Sequence, residues 1–338
     1  MNSLSSVFSL QSYQYHLPEE LIAQYPCVKR DDARLMIIDR RAGTIRHDIF
    51  SNLGAYVPKQ ATFVVNNSKV IPARLLGQKS NGSKVEIFLL KPLADGYSFE
   101  ALLKPLKRIR VGESIDFSHG ITAELTDKDQ RIVRFNTKNI IEHLQNIGHV
   151  PLPPYIKRED KPQDHDDYQT VYAKNFGSVA SPTAGLHFTD DLIKELKTQG
   201  HSFLELTLHI NYGTFKPVEC ADIRQHPMHS EYYKLSFPNV SVGNPGKKPI
   251  IAVGTTSCRV LESVARTQQL EGSTDIFIYP GFEFKTVDIL LTNFHLPHST
   301  LLMLVCAFGG YDLIMKAYQE AIKERYRFYS YGDAMLIV

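Results

Sequence analysis

The sequence predicts an α/β protein: a main α/β domain, its sheet covered by helices, carrying an inserted small antiparallel β-barrel domain. Three observations carry this reading. After Thr189, apolar runs of strand length alternate with helical patterns. Between about Ile71 and Asn136, short β-rich runs follow one another with turn signals and no convincing helix. The chain has 338 residues, enough for two domains with a real core. On this reading residues 1–68 and 148–338 form the main domain and residues 69–147 the insert.

In chain order, Leu17–Ala23 places Pro18 and two acids in the first turn of a short helix. Arg34–Asp39 reads as a strand turned back through Gly43, and Ala61–Asn67 as a strand running into two asparagines. The insert follows with strands at Lys84–Leu90, Tyr97–Leu103, Ser114–Phe117, Ile121–Leu125 and Arg131–Phe135. Asp95-Gly96 and His119-Gly120 mark tight turns, and strands at this spacing suit a small barrel or sandwich. Lys138–Ile147 has helical apolar spacing with Gly148 as its stop, and Val150–Ile156 is stiff and proline-rich.

In the C-terminal half, Thr189 caps a helix that begins with Asp190 and Asp191 and stops at Gly200. Strands are expected at Phe203–Ile210, Pro249–Gly254, Ile276–Tyr279 and Val287–Leu291, and again at Ala334–Val338. Helices are expected after Ser257 and over Asp312–Arg325.

Bulk properties exclude several classes. Apolar residues make up 43% and charged residues 22%, the balance of an ordinary soluble globular protein. The net charge of +2 gives no global basic field, so any RNA contact must come from a local patch. The four cysteines are far apart without CxxC spacing, which argues against a structural zinc site and a disulfide framework. Met1–Leu10 lacks a signal-peptide pattern and Leu301–Phe308 is too short to span a bilayer, so a cytoplasmic location is expected.

Candidate chemistry concentrates in a few polar segments. Gly177–Thr189 gathers two glycines, a proline, hydroxyls and His187 ahead of a helix start, so the backbone can approach a ligand closely; a plain polar turn is the alternative. Asn66 and Asn67 end a strand, where α/β sheets bind ligands, although turn chemistry explains them equally. Thr255, Thr256 and Ser257, with Arg259, open a helix after a buried strand and suit a carboxylate or phosphate. No P-loop and no GxGxxG is present.

His226, His229 and Glu231 lie close together, but Pro227 works against a helical zinc pair, so no metal is expected. Asn293 and His295 end another strand, and His295 is catalytic or a satisfied structural histidine. Lys104, Lys107, Arg108 and Arg110 form a basic cluster, either a solvated loop or an RNA-backbone contact.

Taken together, Leu17–Gln24, Val65–Leu75, Val150–Tyr155, Tyr168–Tyr172, Gly177–Thr189, His229–Tyr232, Ala252–Ser257 and Leu291–Pro297 resemble one family. It is the S-adenosylmethionine:tRNA ribosyltransferase-isomerase family of queuosine synthesis, and the likeness runs along nearly the whole chain. There are departures. Asn211 stands where the family usually has a glycine, within Leu208–Phe215, and could narrow or re-polarise a pocket; Ser181 replaces a common alanine and Cys306 a frequent serine.

The resemblance implies an α/β domain with an inserted β-barrel, and a reaction on tRNA. The ribosyl part of S-adenosylmethionine is transferred to 7-aminomethyl-7-deazaguanine (preQ1) at the wobble position and isomerised, giving epoxyqueuosine, adenine and methionine. S-adenosylmethionine is then a consumed co-substrate, no resident cofactor is expected, and the protein is read as a monomer. A placed base must deprotonate the attacking amine and the carbon beside the sulfonium, and an acid eases the departure of adenine. Residue chemistry then points to His187 as leading base or acid, with Glu231 and His229 next. Thr255, Thr256, Ser257 and Arg259 are expected on the methionine carboxylate or the ribose; Asn66, Asn67, Arg74, Thr183, Gly185, Asn293 and His295 complete the substrate-binding set. The basic cluster is expected on tRNA. The competing classes are a non-catalytic RNA-binding protein and a metal-dependent hydrolase built on His226, His229 and Glu231.

Overall fold

The computed structural model describes residues 7–211, 213, 217–237 and 248–338. Its main element is a nine-stranded mixed sheet. From one edge the strands run Glu271–Thr274, Glu231–Leu235, Ser202–Leu208, Thr62–Asn66, Ile250–Val253, Ile289–Asn293, Ala334–Ile337, Arg34–Asp39 and Thr44–Ile49. Ser202–Leu208, Thr62–Asn66, Ile250–Val253 and Ile289–Asn293 are mutually parallel, so their C-terminal ends reach the same edge. The last three are buried along their whole length, as strands covered on both faces must be.

Strand alternation sorts the apolar side chains into two cores. Met36, Val64, Ala252, Leu290 and Met335 face one, and Leu35, Phe63, Val65, Ile251, Leu291 and Leu336 face the other. The first is covered by helices α2 (Gly254–Thr267), α3 (Thr300–Gly309) and α4 (Tyr311–Lys323). The second is covered by α1 (Asp190–Thr198), whose Leu192 and Leu196 pack inward; the Thr189 hydroxyl accepts from Leu192 N, and Gly200 turns the chain away at φ +91°.

A second sheet holds seven antiparallel strands in the order Gly148–His149, Arg74–Lys79, Lys84–Pro92, Ser98–Lys104, Ile132–Phe135, Thr122–Asp127, Ser114–Asp116. Arg74–Lys79 also pairs with Ser114–Asp116, so the sheet closes on itself. Its core is separate from the others, running from Ile71 to Ile147 and joined by Val179.

Three expectations about elements change. Ile276–Tyr279 is not a strand: the ladder ends where Glu231 meets Thr274, and the Thr274 hydroxyl accepts the Ile276 amide instead. The helix at Leu17–Ala23 is only a 3₁₀ turn, Glu19–Leu21. Lys138–Ile147 is a 3₁₀ turn, Ile140–His143, followed by a single α turn, Leu144–Ile147. The apolar run Leu301–Phe308 is the buried helix α3, capped where the Ser299 hydroxyl accepts from Leu302 N. Among the described residues no single helix is long and apolar enough to cross a membrane. Residues 1–6 of the N-terminal reading, and residues 212, 214 and 215 of Leu208–Phe215, lie outside the described residues.

Candidate functional site

At the C-terminal ends of the parallel strands lies a cavity of about 310 Å³. Three strand-end segments build it: Ala180–Ala184 from the glycine-rich stretch, Gly254–Thr256 at the start of α2, and Thr292–Pro297 after a central strand. This is the edge at which open α/β sheets hold ligands. Gly254 turns from strand into helix at φ +87°, a conformation that side chains rarely adopt.

Aromatic residues supply much of the remaining wall. Tyr155 and Tyr329 bring their ring centroids within 4.7 Å, Tyr168 and Phe294 are fully buried, and the Tyr155 hydroxyl bonds the Ser330 hydroxyl at 2.6 Å. Burial pushes the Tyr155 phenol up to about 12, so it stays protonated at neutral pH. No described residue of this wall is Asp, Glu, Lys or Arg. Ser181 Oγ, Thr256 Oγ1 and Asn293 Oδ1, all on wall residues, are buried without a hydrogen-bond partner. Leaving such atoms unpaired costs about 1–3 kcal/mol each, which a polar ligand can recover.

The structure divides the expected site residues. Thr183, Thr255, Thr256, Asn293 and His295 line the cavity. His295 Nε2 meets Thr292 Oγ1 at 2.9 Å, and burial holds its pKa down to about 3. His187 is not in the wall: it packs on Phe50, with ring centroids 5.0 Å apart, and its Nε2 accepts from Asn293 Nδ2 at 3.2 Å. Burial, then the nearby Arg327 and Arg30, hold His187 at about 3, so it is neutral at physiological pH.

Asn66 and Asn67 do not line the cavity. Asn66 clamps two strands, accepting from Leu208 N at 3.0 Å and donating to Leu208 O at 3.0 Å. Asn67 is held by Glu205, Asn175 and Thr207. Every polar atom of both side chains thus has a partner within the fold, in keeping with the turn-chemistry alternative. Gly185 is a packing glycine, since a Cβ there would collide with the Tyr172 hydroxyl. Arg74 pairs with Glu86 at 3.0 Å in the second sheet, away from the cavity. Ser257 is fully buried beside the wall without lining it.

Glu231, Arg259, His226 and His229 surround a second, smaller cavity of about 30 Å³, which shares Leu301 with the first. Arg259 Nη1 donates to Glu231 Oε2 and Nε to Ile276 O, while its Nη2 is buried without a hydrogen-bond partner. The Glu231 carboxylate thus faces a guanidinium, and among the described residues no three His, Cys, Asp or Glu side chains converge as metal ligands. Asn211 reaches this segment through Ser230 O and the Glu231 carboxylate, so it does not narrow the main cavity. Lys104, Lys107, Arg108 and Arg110 are exposed around the 3₁₀ turn Leu106–Arg108, and Lys104 lies 3.6 Å from Glu86.

Tyr155, Tyr168, Tyr329 and Ser330 were not expected in the wall. The first two had a sequence signal, in Val150–Tyr155 and Tyr168–Tyr172. Tyr329 had none, because its wall position depends on a left-handed backbone, φ +71°, far from the other segments in sequence.

The same strand-end segments are those by which the sequence resembles a known family, and comparison with known proteins decides the matter. Residues 10–337 match the model of a family described as queuosine biosynthesis protein. The chain belongs to that family. It is 50% identical over 97% of its length to the S-adenosylmethionine:tRNA ribosyltransferase-isomerase of Sulfurihydrogenibium sp., covering 99% of that protein. The corresponding Carboxydothermus hydrogenoformans protein is 49% identical at the same coverage of both chains. The crystal structure of the Thermotoga maritima S-adenosylmethionine tRNA ribosyltransferase is 36% identical, with a TM-score of 0.53, over 97% of this chain and 100% of that one.

Proposed function

We propose that the chain transfers the ribosyl part of S-adenosylmethionine to tRNA and isomerises it, in the synthesis of queuosine. The near-full-length identity with enzymes of that name carries this reading. In finer detail, the acceptor is preQ1 at the wobble position, and epoxyqueuosine, adenine and methionine are the products. The closed antiparallel sheet is taken as the inserted barrel, residues 69–147, with residues 1–68 and 148–338 as the main domain. The protein is read as a cytoplasmic monomer.

The two cavities suit the two ends of S-adenosylmethionine. Aromatic faces and neutral hydroxyls fit the adenosyl group in the larger one, and electron-rich rings attract a sulfonium. The unpartnered Arg259 Nη2 suits the methionine carboxylate across Leu301. Thr183, Thr255 and Thr256 would hold the ribose side.

At neutral pH His295 and His187 are both neutral, and burial makes each a weak base. His295 takes the general-base assignment from His187 by its place in the wall, and bound substrate must raise its basicity for the proton transfer. Tyr155, still protonated, is the wall's donor toward the departing adenine. The cations Lys104, Lys107, Arg108 and Arg110 are assigned to the tRNA backbone.

The test is direct. Purified protein mixed with S-adenosylmethionine and tRNA bearing preQ1 should release adenine and methionine. Folded protein that binds the tRNA but releases neither would replace this reading with the RNA-binding one.

A further inference from the structure

The Asn293 amide is fixed from behind. Nδ2 donates to His187 Nε2 at 3.2 Å and to the Tyr329 carbonyl at 3.0 Å, so both of its hydrogens are used. Oδ1 is left buried and unpartnered on a residue of the cavity wall. The carbonyl that takes the second hydrogen belongs to a tyrosine held at φ +71°, a conformation that costs a non-glycine residue energy and persists only where its surroundings impose it. A neutral imidazole on one side and a strained carbonyl on the other thus hold one amide orientation. Were His187 Nε2 a donor, the amide would have to flip and turn Nδ2 toward the cavity.

We propose that His187 is a positioning residue that makes Asn293 Oδ1 an obligate acceptor, and that this oxygen selects the exocyclic 6-amino group of the adenine ring of S-adenosylmethionine. The inference rests on the functional reading above and deepens it. S-adenosylmethionine offers three kinds of donor. Its α-ammonium is charged, and the wall has no described carboxylate to compensate it. The ribose hydroxyls both donate and accept, and threonine or serine hydroxyls serve them equally well. The 6-amino group is neutral, donates only, and sits on a flat aromatic ring matched to Phe294 and Tyr329. An acceptor-only oxygen meets a donor-only amine.

The test compares S-adenosylmethionine with its 6-oxo (inosyl) and 6-unsubstituted (purine) analogues, reading kcat/KM by release of the base in the presence of preQ1-tRNA. The wild-type protein should prefer the 6-amino compound on the order of 10- to 100-fold, the 6-oxo compound being worst because it sets acceptor against acceptor. In Asn293→Ala the preference should collapse to within about 2- to 3-fold. His187→Phe, which removes the Nε2 acceptor, should collapse it too, and His187→Gln, which restores an acceptor, should recover part of it. Asn293→Ala keeps the idea testable if His187→Phe does not fold. Wild-type turnover without base preference, or a preference that survives Asn293→Ala, would overturn this inference alone. No turnover of S-adenosylmethionine itself would overturn the functional reading and this inference with it.

Discussion

Two cavities meet at Leu301, and they are built from opposite materials. The larger is walled by rings, hydroxyls and the neutral imidazole of His295, with no charged side chain among its described residues. The smaller is built around a buried guanidinium–carboxylate pair flanked by two histidines. A neutral wall recognises shape and hydrogen-bond direction, and its strength lies in unpaired atoms waiting for partners. A buried ion pair recognises charge, and desolvation makes it costly whenever half of it is missing. A ligand that is aromatic at one end and zwitterionic at the other is divided correctly by such a boundary.

The sharpest way to break this comparison is to strip the charge from one side. Glu231→Ala leaves Arg259 buried without its carboxylate and should destabilise the protein by about 3–5 kcal/mol in urea unfolding. The double replacement Glu231→Leu with Arg259→Met should recover most of that loss while still losing affinity for the methionyl end. If Glu231→Ala unfolds at the wild-type urea midpoint, the pair is not the desolvated element described here.

The neutral side is sharpened by pH. The imidazoles of His187 and His295 are held near 3, against an ordinary value of 6.5. Above about pH 6.5 both are neutral in the folded and the unfolded chain, and they make stability no more dependent on pH. Below it the unfolded chain binds protons that the folded protein refuses, so stability falls as the pH falls from about 6.5 toward 3. Each histidine should contribute a slope of about 1.4 kcal/mol per pH unit inside that window, or about 2 kcal/mol by pH 5. Urea midpoints between pH 7 and pH 5 should show this slope reduced by one proton's worth in His187→Gln. An unchanged slope would mean that His187 is protonated in the fold.

How far the sequence revealed all this depends on whether the signal was local. The covered sheet was legible because Phe63–Val65, Ile250–Val253 and Ile289–Leu291 are short continuous apolar runs, whereas the longer run Leu301–Phe308 folds as a helix. Ala180–Ala184 and Gly254–Thr256 were legible as wall because small and polar residues beside a helix start have few other uses. Asn66, Asn67 and His187 fall outside the main cavity wall, and the sequence did not show it for one common reason. A sequence shows that a polar group exists, but whether its hydrogen bonds are already spent is a property of neighbours over 100 residues away, Leu208 for Asn66 and Asn293 for His187. The strand at Ile276–Tyr279 failed for a related reason, since Phe277 packs on the His226 ring, Tyr279 on the Phe8 ring, and the Ile276 amide goes to a hydroxyl in place of a ladder partner.

The smallest expected effect separates hydroxyls that belong to ligand recognition from those that do not. Thr256 Oγ1 and Ser181 Oγ are both buried and unpartnered on the cavity wall, so removing either should leave the ligand-free protein as stable as before, or more stable by about 1 kcal/mol. Ordinary buried polar deletions go the other way. The two should differ once S-adenosylmethionine is present. Thr256 opens the α2 end of the wall, where the ribose is placed, and Thr256→Val should raise KM for S-adenosylmethionine about 10-fold, the worth of one hydrogen bond left unmade. No ribose contact is assigned to Ser181, and Ser181→Ala should change KM less than about 2-fold, within the few tenths of a kcal/mol of a neutral change. Melting curves with and without S-adenosylmethionine read both halves at once: Thr256→Val should lose most of its ligand-induced shift, and Ser181→Ala should keep it. Equal shifts in the two variants would show that the cavity does not read its ligand through the start of α2.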